Sequence, residues 1–481
     1  MVPAALNPIR GVIMAVGLGL VRLSLVDEQR VRRTVELSWP RIVTGLARMS
    51  KNAADVAMVG IAVGPAAIAG VGFAGPYWGA AFTVGGGLAA GTIALVSQRF
   101  GAEAFDRIGQ PVRSSVVLVL ALTLPMAALF WTMPRTLVEL LSSDARQTEL
   151  GARYLKIVAL GVPFAGLNLV GSRVLIGADD AWTPMVLRAG GASSNIIFNA
   201  VLIFGLGMGV AGAAIGTVVS NVLVTMAFAL GLAWGRLPLV GAFPVQVSPL
   251  GRYVDEGTMR DLVEISLPVV GRNSVWTLAR FPMLLLVGLI SPVAVPAYVI
   301  SRRIWGLMNT PGWGYGLAAS SLVGQSLGEN DEASAEAYGR EITLVSVATY
   351  AVAAAIVVVF AEPIVWLFVE DGGAETAAIA VPLVYAAALA VIAQGVSSAI
   401  AGALDATGDT RWPFYSRALG MGIAIGLTYL GATTSLGLWG LYLAYFAQTI
   451  VPAAINYYRF STGKWKAISR AYRPDSAVGD D

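Results

Sequence analysis

The 481-residue chain contains no cysteine and no histidine. It therefore has no disulfide, no thiol nucleophile, no Cys/His metal site and no catalytic dyad that uses either side chain. Charged residues are also scarce, at 13% of the chain against about 25% in a typical soluble domain. These absences exclude the corresponding enzyme chemistries and argue against a soluble fold.

Apolar and small residues are abundant instead. Hydrophobic residues make up 56% of the chain, and there are 55 glycines, which permit close helix packing in membrane bundles. The net charge is +3, with the basic residues concentrated at the ends of apolar segments. We interpret that charge as a signal of membrane topology and expect no nucleic-acid partner.

Apolar runs define the spans, because a membrane-crossing helix needs about 20 such residues. The sequence predicts an all-α integral membrane protein with about twelve spans, divided into two lobes of about six. The predicted segments are an N-terminal cytoplasmic segment with an interfacial helix at 1–35, an N-lobe at 36–234, a cytoplasmic linker at 235–261, a C-lobe at 262–458 and a cytoplasmic tail at 459–481.

The two lobes are predicted to be related copies. The segment from Trp78 to Gly101 recurs without a gap from Trp305 to Gly328, and weaker matches flank it. Those flanking pairs are Glu36/Glu264, Pro40/Pro268, Asp180/Asp409, Pro184/Pro413 and Arg188/Arg417. Because each copy has an even number of spans, both copies run in the same sense, as in transporters whose substrate route lies between repeats.

Basic residues predict the orientation. Arg and Lys are frequent in the N-terminal segment, after the second span, in the linker and in the tail. The alternate loops, near Gly64, Gly207, Ser291 and Thr433, have none. By the positive-inside rule both termini are cytoplasmic, so we expect a multi-pass protein of a prokaryotic cytoplasmic membrane.

Ionisable residues inside spans are costly and usually functional. The first span carries Arg48, Lys51 and Asp55, and Asp55 is the acid predicted to lie well inside a span. The spacing allows two interpretations of Asp55. It is either a site for a transported ion or one half of a structural ion pair with Lys51 or Arg48.

Neutral polar residues lie at a similar predicted depth. Counted along their helices, Asp55 and Asn199 are each about 10 Å, and Thr217 about 9 Å, from the outer end, with Asn195 one turn deeper than Asn199. These carboxylate, amide and hydroxyl oxygens suit a proton or a hard cation. The alternative is that the amides and the hydroxyl only bridge helices by hydrogen bonds.

Three further residues are candidates for a role in transport. Pro40 is a candidate hinge or a static kink in the span that carries Asp55, since proline removes a backbone hydrogen bond. In the second half, where no interior acid is expected, Arg272 and Arg280 are candidates for lining a substrate cavity. Contact with lipid headgroups is the alternative for these arginines, as for Arg302 and Arg303.

These stretches resemble the multidrug and toxic compound extrusion (MATE) family over about residues 35–460. The matching motifs are Asp55-Val56-Ala57-Met58-Val59-Gly60, Ser97-Gln98-Arg99-Phe100-Gly101-Ala102, Asn195-Ile196-Ile197-Phe198-Asn199, Gly212-Ala213-Ala214-Ile215-Gly216-Thr217 and Gly324-Gln325-Ser326-Leu327-Gly328. No single motif decides the match, but their order does.

The resemblance implies a MATE-type fold and export of amphipathic, often cationic compounds against an inward flow of H⁺ or Na⁺. It makes Asp55 the coupling carboxylate, Pro40 the bend-forming proline, and Asn195, Asn199 and Thr217 the rest of the ion site. Asn199 stands where the family often has a second aspartate. The second half lacks the acids of the NorM-like branch, which favours the DinF-like branch.

The predicted transporter is a monomer in the lipid bilayer with a small-molecule substrate and no cofactor beyond the coupling ion. The nearest rival is a flippase of the same superfamily for lipids or lipid-linked oligosaccharides, whose anionic substrates would suit the second-half arginines. A channel stays open as an alternative. An enzyme is not expected, because no two acids face each other within the predicted spans.

Overall fold

The computed structural model describes residues 8–238, 240–369 and 373–473. These ranges are almost entirely helical, with one short hairpin. The helices of the first half are α1 (Pro8–Arg22), α2 (Glu28–Val63), α3 (Pro65–Gly101), α4 (Gly109–Thr132), α5 (Pro134–Glu139), α6 (Ala145–Val158), α7 (Val162–Gly177), α8 (Trp182–Ala200) and α9 (Gly209–Trp234). The strands β1 (Arg236–Leu237) and β2 (Gly241–Ala242) follow.

The second half repeats this order. Its helices are α10 (Glu256–Leu278), α11 (Arg280–Ile290), α12 (Ala294–Met308), α13 (Thr310–Gly328), α14 (Glu332–Val359), α15 (Ala361–Trp366), α16 (Ala374–Thr407), α17 (Arg411–Thr433), α18 (Leu438–Ser461) and α19 (Trp465–Arg470). Two 3₁₀ turns (Phe105–Arg107 and Ala159–Gly161) and a π-helical turn (Val201–Gly205) complete the set.

Twelve helical segments correspond to the predicted spans. Within the described ranges, nine are long and apolar enough to cross a membrane on length and composition alone. The other three are α2, the pair α12 and α13, and α17. Charged residues within α2, among them Arg41, Arg48 and Lys51, lower its average apolarity. The predicted fold, all-α with two six-helix halves, is confirmed.

Prolines explain why three spans are broken. Pro163, Pro282 and Pro311 each lie in the first turn of a helix that follows a break, at α7, α11 and α13. Proline has no N–H to donate and its ring clashes with the carbonyl four residues earlier, so the preceding helix ends there. By contrast, α2 continues through Pro40 and α10 through Pro268.

The chain divides into two compact units. One unit comprises Met1–Ile42 and Gly271–Asp481, and the other Val43–Val270. The divisions fall inside α2 and α10, two residues after the paired prolines Pro40 and Pro268. The predicted lobe boundaries stay a prediction. Parts of the predicted end segments and linker lie outside the described residues, namely 1–7, Leu239 and 474–481.

Small residues let helices approach closely in the Val43–Val270 unit. A methyl group added at Gly70 of α3 would lie 2.8 Å from the Gly151 nitrogen of α6, so no larger residue fits at this crossing. α2 and α3 are joined by Gly64 alone, whose φ of 102° is one that glycine adopts without strain. The end of α2 is therefore held against the rest of its unit, with Val59 fully buried.

Polar contacts tie the N-terminal residues into the other unit. Arg10 of α1, the predicted interfacial helix, donates from Nε to Glu36 at 2.8 Å. At the start of α2, Arg30 donates to Glu341 of α14 at 2.9 Å. Arg33 donates to the repeat residue Gln325 of α13 at 2.8 Å. The first turns of α2 are thus anchored on helices of the second half.

The segment predicted to be the linker contains secondary structure. Its first residues form the hairpin of β1 and β2, and α10 already begins at Glu256, inside the segment assigned to 235–261. Arg113 of α4 donates to the carbonyl oxygens of Ser248 and Arg252 at 3.0 and 3.1 Å. These bonds attach the linker to the Val43–Val270 unit.

Candidate functional site

Asp55 lies two turns before the end of α2 and is 7% exposed. Lys51 sits one helical turn earlier on the same face, and its Nζ is 2.6 Å from Asp55 Oδ2. Both side chains are largely buried, at 16% and 10% exposure, so this pair is shielded from solvent. The carboxylate and the ammonium offset each other's charge inside the unit.

Helices α8 and α9 supply the neutral part of the site. Asn199 donates from Nδ2 to the second carboxylate oxygen of Asp55 at 2.7 Å and, more weakly, to Asn195 Oδ1 at 3.3 Å. Asn195 in turn donates to Thr217 Oγ1 at 3.2 Å. The residues predicted to converge by helix depth are joined in one hydrogen-bonded chain, with both amides fully buried.

The amide oxygen of Asn199 has no hydrogen-bond partner among the described residues, although it is buried. Its amide nitrogen is directed at Asp55, which fits an ionised carboxylate because that group only accepts hydrogen bonds. A buried oxygen without a donor is costly unless another species satisfies it. In the structure this oxygen lies against Gly216 of α9, while the amide nitrogen of the same side chain faces Asp55 and Asn195.

Gly216 makes room for Asn199. A methyl group added at this position would lie 3.3 Å from the Asn199 backbone nitrogen and would collide with its side-chain oxygen. Alanine must therefore displace the amide that donates to Asp55. In the motif Gly216-Thr217, the glycine leaves room for the Asn199 side chain and the threonine hydroxyl accepts a hydrogen bond from Asn195.

We expect Gly216→Ala to lose about 1–3 kcal/mol of stability through overpacking and to impair transport through the shifted amide. Gly190→Ala is the matched control, since nothing lies within 4 Å of a methyl group added there on α8. The control should be neutral or slightly stabilising, as alanine favours helices. Thermal unfolding in detergent and vesicle efflux measure both effects, and identical behaviour of the two variants would contradict the assigned role.

Two features of this site escaped the sequence reasoning. Tyr154 of α6, partly buried, lies near Thr217 and within electrostatic range of Asp55. Farther along α9, Asn221 donates to the Thr217 carbonyl at 2.8 Å and accepts from Asn168 of α7 at 3.1 Å. The spacing of Thr217, Asn221 and Thr225, one residue every four, was a visible signal of a polar helix face.

The remaining first-span candidates lie apart from the carboxylate contacts. Among the described residues the direct partners of Asp55 are Lys51 and Asn199. Arg48 lies with its guanidinium carbon 4.9 Å from the Phe82 ring centre, in the geometry of a cation–π contact. Pro40 is inside α2, in the unit that contains the second half.

Arg272 has a carboxylate partner that the sequence reasoning missed. Its two terminal nitrogens donate to the two oxygens of Asp405 at 3.0 and 2.7 Å, a bidentate pair. Asp405 is 7% exposed and lies near the end of α16. Asp405 lies beyond the predicted apolar run, at the end of α16, so the sequence reasoning did not identify it as a buried acid.

Two other second-half arginines lie over Trp276 of α10. Arg302 and Arg417 lie 4.9 and 5.4 Å from its ring centre, on α12 and α17. Arg280 is exposed and within electrostatic range of Arg302, and Arg303 is exposed. Of the two predicted cavity residues, Arg280 therefore lies near this cluster through Arg302, and Arg272 is held in its ion pair.

No group of three or more acidic side chains able to hold a metal ion occurs in the described ranges. The coupling-ion site predicted from the sequence therefore consists of one carboxylate with neutral oxygens. Its fit to H⁺ or Na⁺ rests on these donors.

Two repeated six-helix halves with ionisable side chains buried inside their spans are typical of a membrane transporter. The MatE family model matches the chain twice, at residues 40–201 and 268–430, which together are more than half of the sequence. The chain belongs to the MatE family and is a multi-pass membrane transporter of prokaryotic type. The two matches start at Pro40 and Pro268, in agreement with the predicted duplication.

Similar proteins are consistent with this assignment. The chain is 28% identical to a probable multidrug resistance protein NorM of Bradyrhizobium diazoefficiens, over 92% of this chain and 95% of that protein. It is 26% identical to the multidrug resistance protein PmpM of Pseudomonas aeruginosa, over 85% and 87%. An outward-facing multidrug resistance MATE family transporter of the MOP superfamily has the same fold, with a TM-score of 0.82 at 21% identity over 91% and 96%.

Proposed function

We propose that this protein exports amphipathic organic compounds, cationic ones among them, in exchange for H⁺ or Na⁺ by alternating access. The observation that carries the proposal is the buried Asp55, bonded to Lys51 on one oxygen and to Asn199 on the other. The names of the relatives, which are multidrug resistance proteins, support the same activity. The predicted DinF-like branch is part of this proposal.

In the proposed coupling, the transported ion and the Lys51 ammonium compete for the Asp55 carboxylate. A proton added to Oδ2 would neutralise the carboxylate and remove its attraction to Lys51, and a sodium ion would have to displace the Lys51 ammonium from the same oxygen. Either event changes the charge balance at the end of α2 and weakens its links to α8. If substrate and ion favour opposite states of this helix, binding of one weakens binding of the other by thermodynamic linkage.

Bending of α2 is the proposed conformational step. Pro40 removes one backbone hydrogen bond in α2, and the division between the compact units falls two residues later. A helix with such a weak point absorbs a change of direction at low cost. Both termini are proposed to be cytoplasmic and the transporter to act as a monomer.

Proteoliposomes with independently imposed pH and sodium gradients test the proposal. We expect uptake of a fluorescent organic cation to depend on one of the two gradients and to saturate with concentration. Saturation distinguishes the transporter from a channel. Transfer of a labelled lipid in the same vesicles without transport of the soluble compound would favour the flippase alternative instead and contradict the proposal.

A further inference from the structure

The Val43–Val270 unit contains buried arginines that the coupling site does not use. Arg173 of α7 is 8% exposed, and Arg188 of α8 is partly exposed. Arg188 lies within electrostatic range of Arg173 and of Arg48 on α2, and both cations repel it. Arg173 and Arg188 belong to the end of the unit where α7 is followed by α8.

These two arginines have no counter-ion in the described part of the chain. Neither forms an ion pair there, and the Nη1 atoms of both are buried without a hydrogen-bond partner. A buried cation is normally paired, because an uncompensated charge in a medium of low polarity costs several kcal/mol by order of magnitude. A bound anion would compensate both charges.

In the second half, protein groups surround the arginine at the equivalent position. Arg417, the repeat equivalent of Arg188, donates to the Gln448 carbonyl at 3.2 Å and lies over Trp276. Its neighbour Arg272 is neutralised by Asp405. In the register that pairs Arg188 with Arg417, the residue equivalent to Asp405 is Ile176, which has no charge.

The same register exposes a second difference between the copies. Arg173 is aligned with Gly402, so the first half gains a cation at the place where it lacks an acid. The helix junctions match in both copies, with α7 ending at Gly177 and α16 at Thr407. At this helix junction the first half therefore has two arginines without an acid, whereas the second half has only Arg417 in that position.

We infer that Arg173 and Arg188, with Arg48 nearby, form an anion-binding subsite for a carboxylate or phosphate group of the transported compound. Guanidinium groups bind both anions by paired hydrogen bonds. The substrate class is then an amphipathic zwitterion, with an anionic group in addition to a cationic centre. This inference rests on the proposed export function for its ligand, but the binding step itself needs no ion gradient.

Two dyes that differ in one functional group test the subsite. Rhodamine B carries a free carboxylate beside its cationic ring system, and its ethyl ester keeps the ring system without the carboxylate. Fluorescence anisotropy with purified protein in phosphatidylcholine nanodiscs should give tighter binding of rhodamine B. In the Arg173→Gln/Arg188→Gln variant its affinity should fall roughly tenfold to hundredfold, while that of the ester stays unchanged.

Control variants separate this role from general effects of charge and folding. Arg153→Gln removes an exposed arginine from α6 and should alter neither dye. Arg173→Lys/Arg188→Lys keeps the charge and should retain part of the affinity. Without added anion, the glutamine variant should be at least as heat-stable as the parent. Inorganic phosphate should stabilise the parent more than chloride of equal ionic strength does, and it should not stabilise the glutamine variant in this way.

The results distinguish the two proposals and the source of the anion. If binding depends on the arginines but no gradient drives export, the subsite is supported and the export function is contradicted. If export occurs but the parent and the glutamine variant bind rhodamine B with equal affinity, the export function is supported and the subsite is contradicted. Addition of phosphatidylglycerol to the nanodiscs identifies a lipid phosphate as the occupant if it competes only when both arginines are present. An equal loss of affinity for both dyes in the glutamine variant would also contradict the proposed subsite.

Discussion

Replacing Asp55 with asparagine is expected to abolish gradient-driven efflux while the protein still folds and inserts. The amide has nearly the same shape as the carboxylic acid but neither releases a proton nor carries the charge that attracts Na⁺ or the Lys51 ammonium. Vesicle efflux should fall to the level of protein-free vesicles under both imposed gradients. Asp106→Asn, the same substitution at an exposed site, should leave efflux intact.

A second variant distinguishes coupling from a purely structural ion pair. Asp55→Asn leaves Lys51 buried without its counter-ion, and this alone could disturb the unit. In Asp55→Asn/Lys51→Met both charges are absent, so thermal stability should recover. Efflux should stay absent in the double variant, because the coupling carboxylate is still missing. Restored efflux would show that the pair only holds the helix in place.

Breaking the Arg272–Asp405 pair is expected to give the largest loss of stability. Removing one partner leaves the other buried and unpaired, which typically costs about 3–5 kcal/mol. Arg272→Met and Asp405→Leu should therefore each lower the unfolding temperature strongly in detergent. Their combination should return close to the parent, since replacing both charges with apolar groups of similar size is often neutral or stabilising.

An exposed ion pair supplies the control for this series. Arg135 and Glu139 lie one turn apart on α5, with side chains 78% and 49% exposed. Glu139→Ala should cost less than about 1 kcal/mol, because solvent screens such pairs. If the Arg272→Met/Asp405→Leu variant were as unstable as the single variants, the prediction would be contradicted. Each of the two charges would then make stabilising contacts with other residues as well.

Much of the architecture could be predicted from local patterns. Apolar runs, the repeat around Trp78 and Trp305, and the paired prolines all depend on residues close together in the sequence. They predicted the two halves and their spans, and they did so even for α2, which composition alone does not identify as a span. Helix rise also placed Asp55, Asn199 and Thr217 at one depth, and they form one chain of contacts with Asn195.

The choice of partner for each charged residue could not be predicted in this way. Spacing allowed Asp55 to pair with Lys51 or with Arg48; in the structure Arg48 lies over Phe82 of α3, and Lys51 pairs with the carboxylate. Asp405 was missed because α16 continues past its apolar run, so that the acid is buried beside an arginine far away in the sequence. Tyr154 gave no signal, since a single tyrosine in an amphipathic helix such as α6 is ordinary.

The sequence by itself determined the membrane class, the duplication and the set of polar residues available for ion coupling, because hydropathy and repetition are properties of short segments. Only the tertiary structure decided which charges are neutralised and which are not. Arg272 meets Asp405, whereas Arg173 and Arg188 meet no carboxylate in the described part of the chain. The physical reason is that burial and pairing depend on how separate helices pack side by side, and no local pattern records that packing.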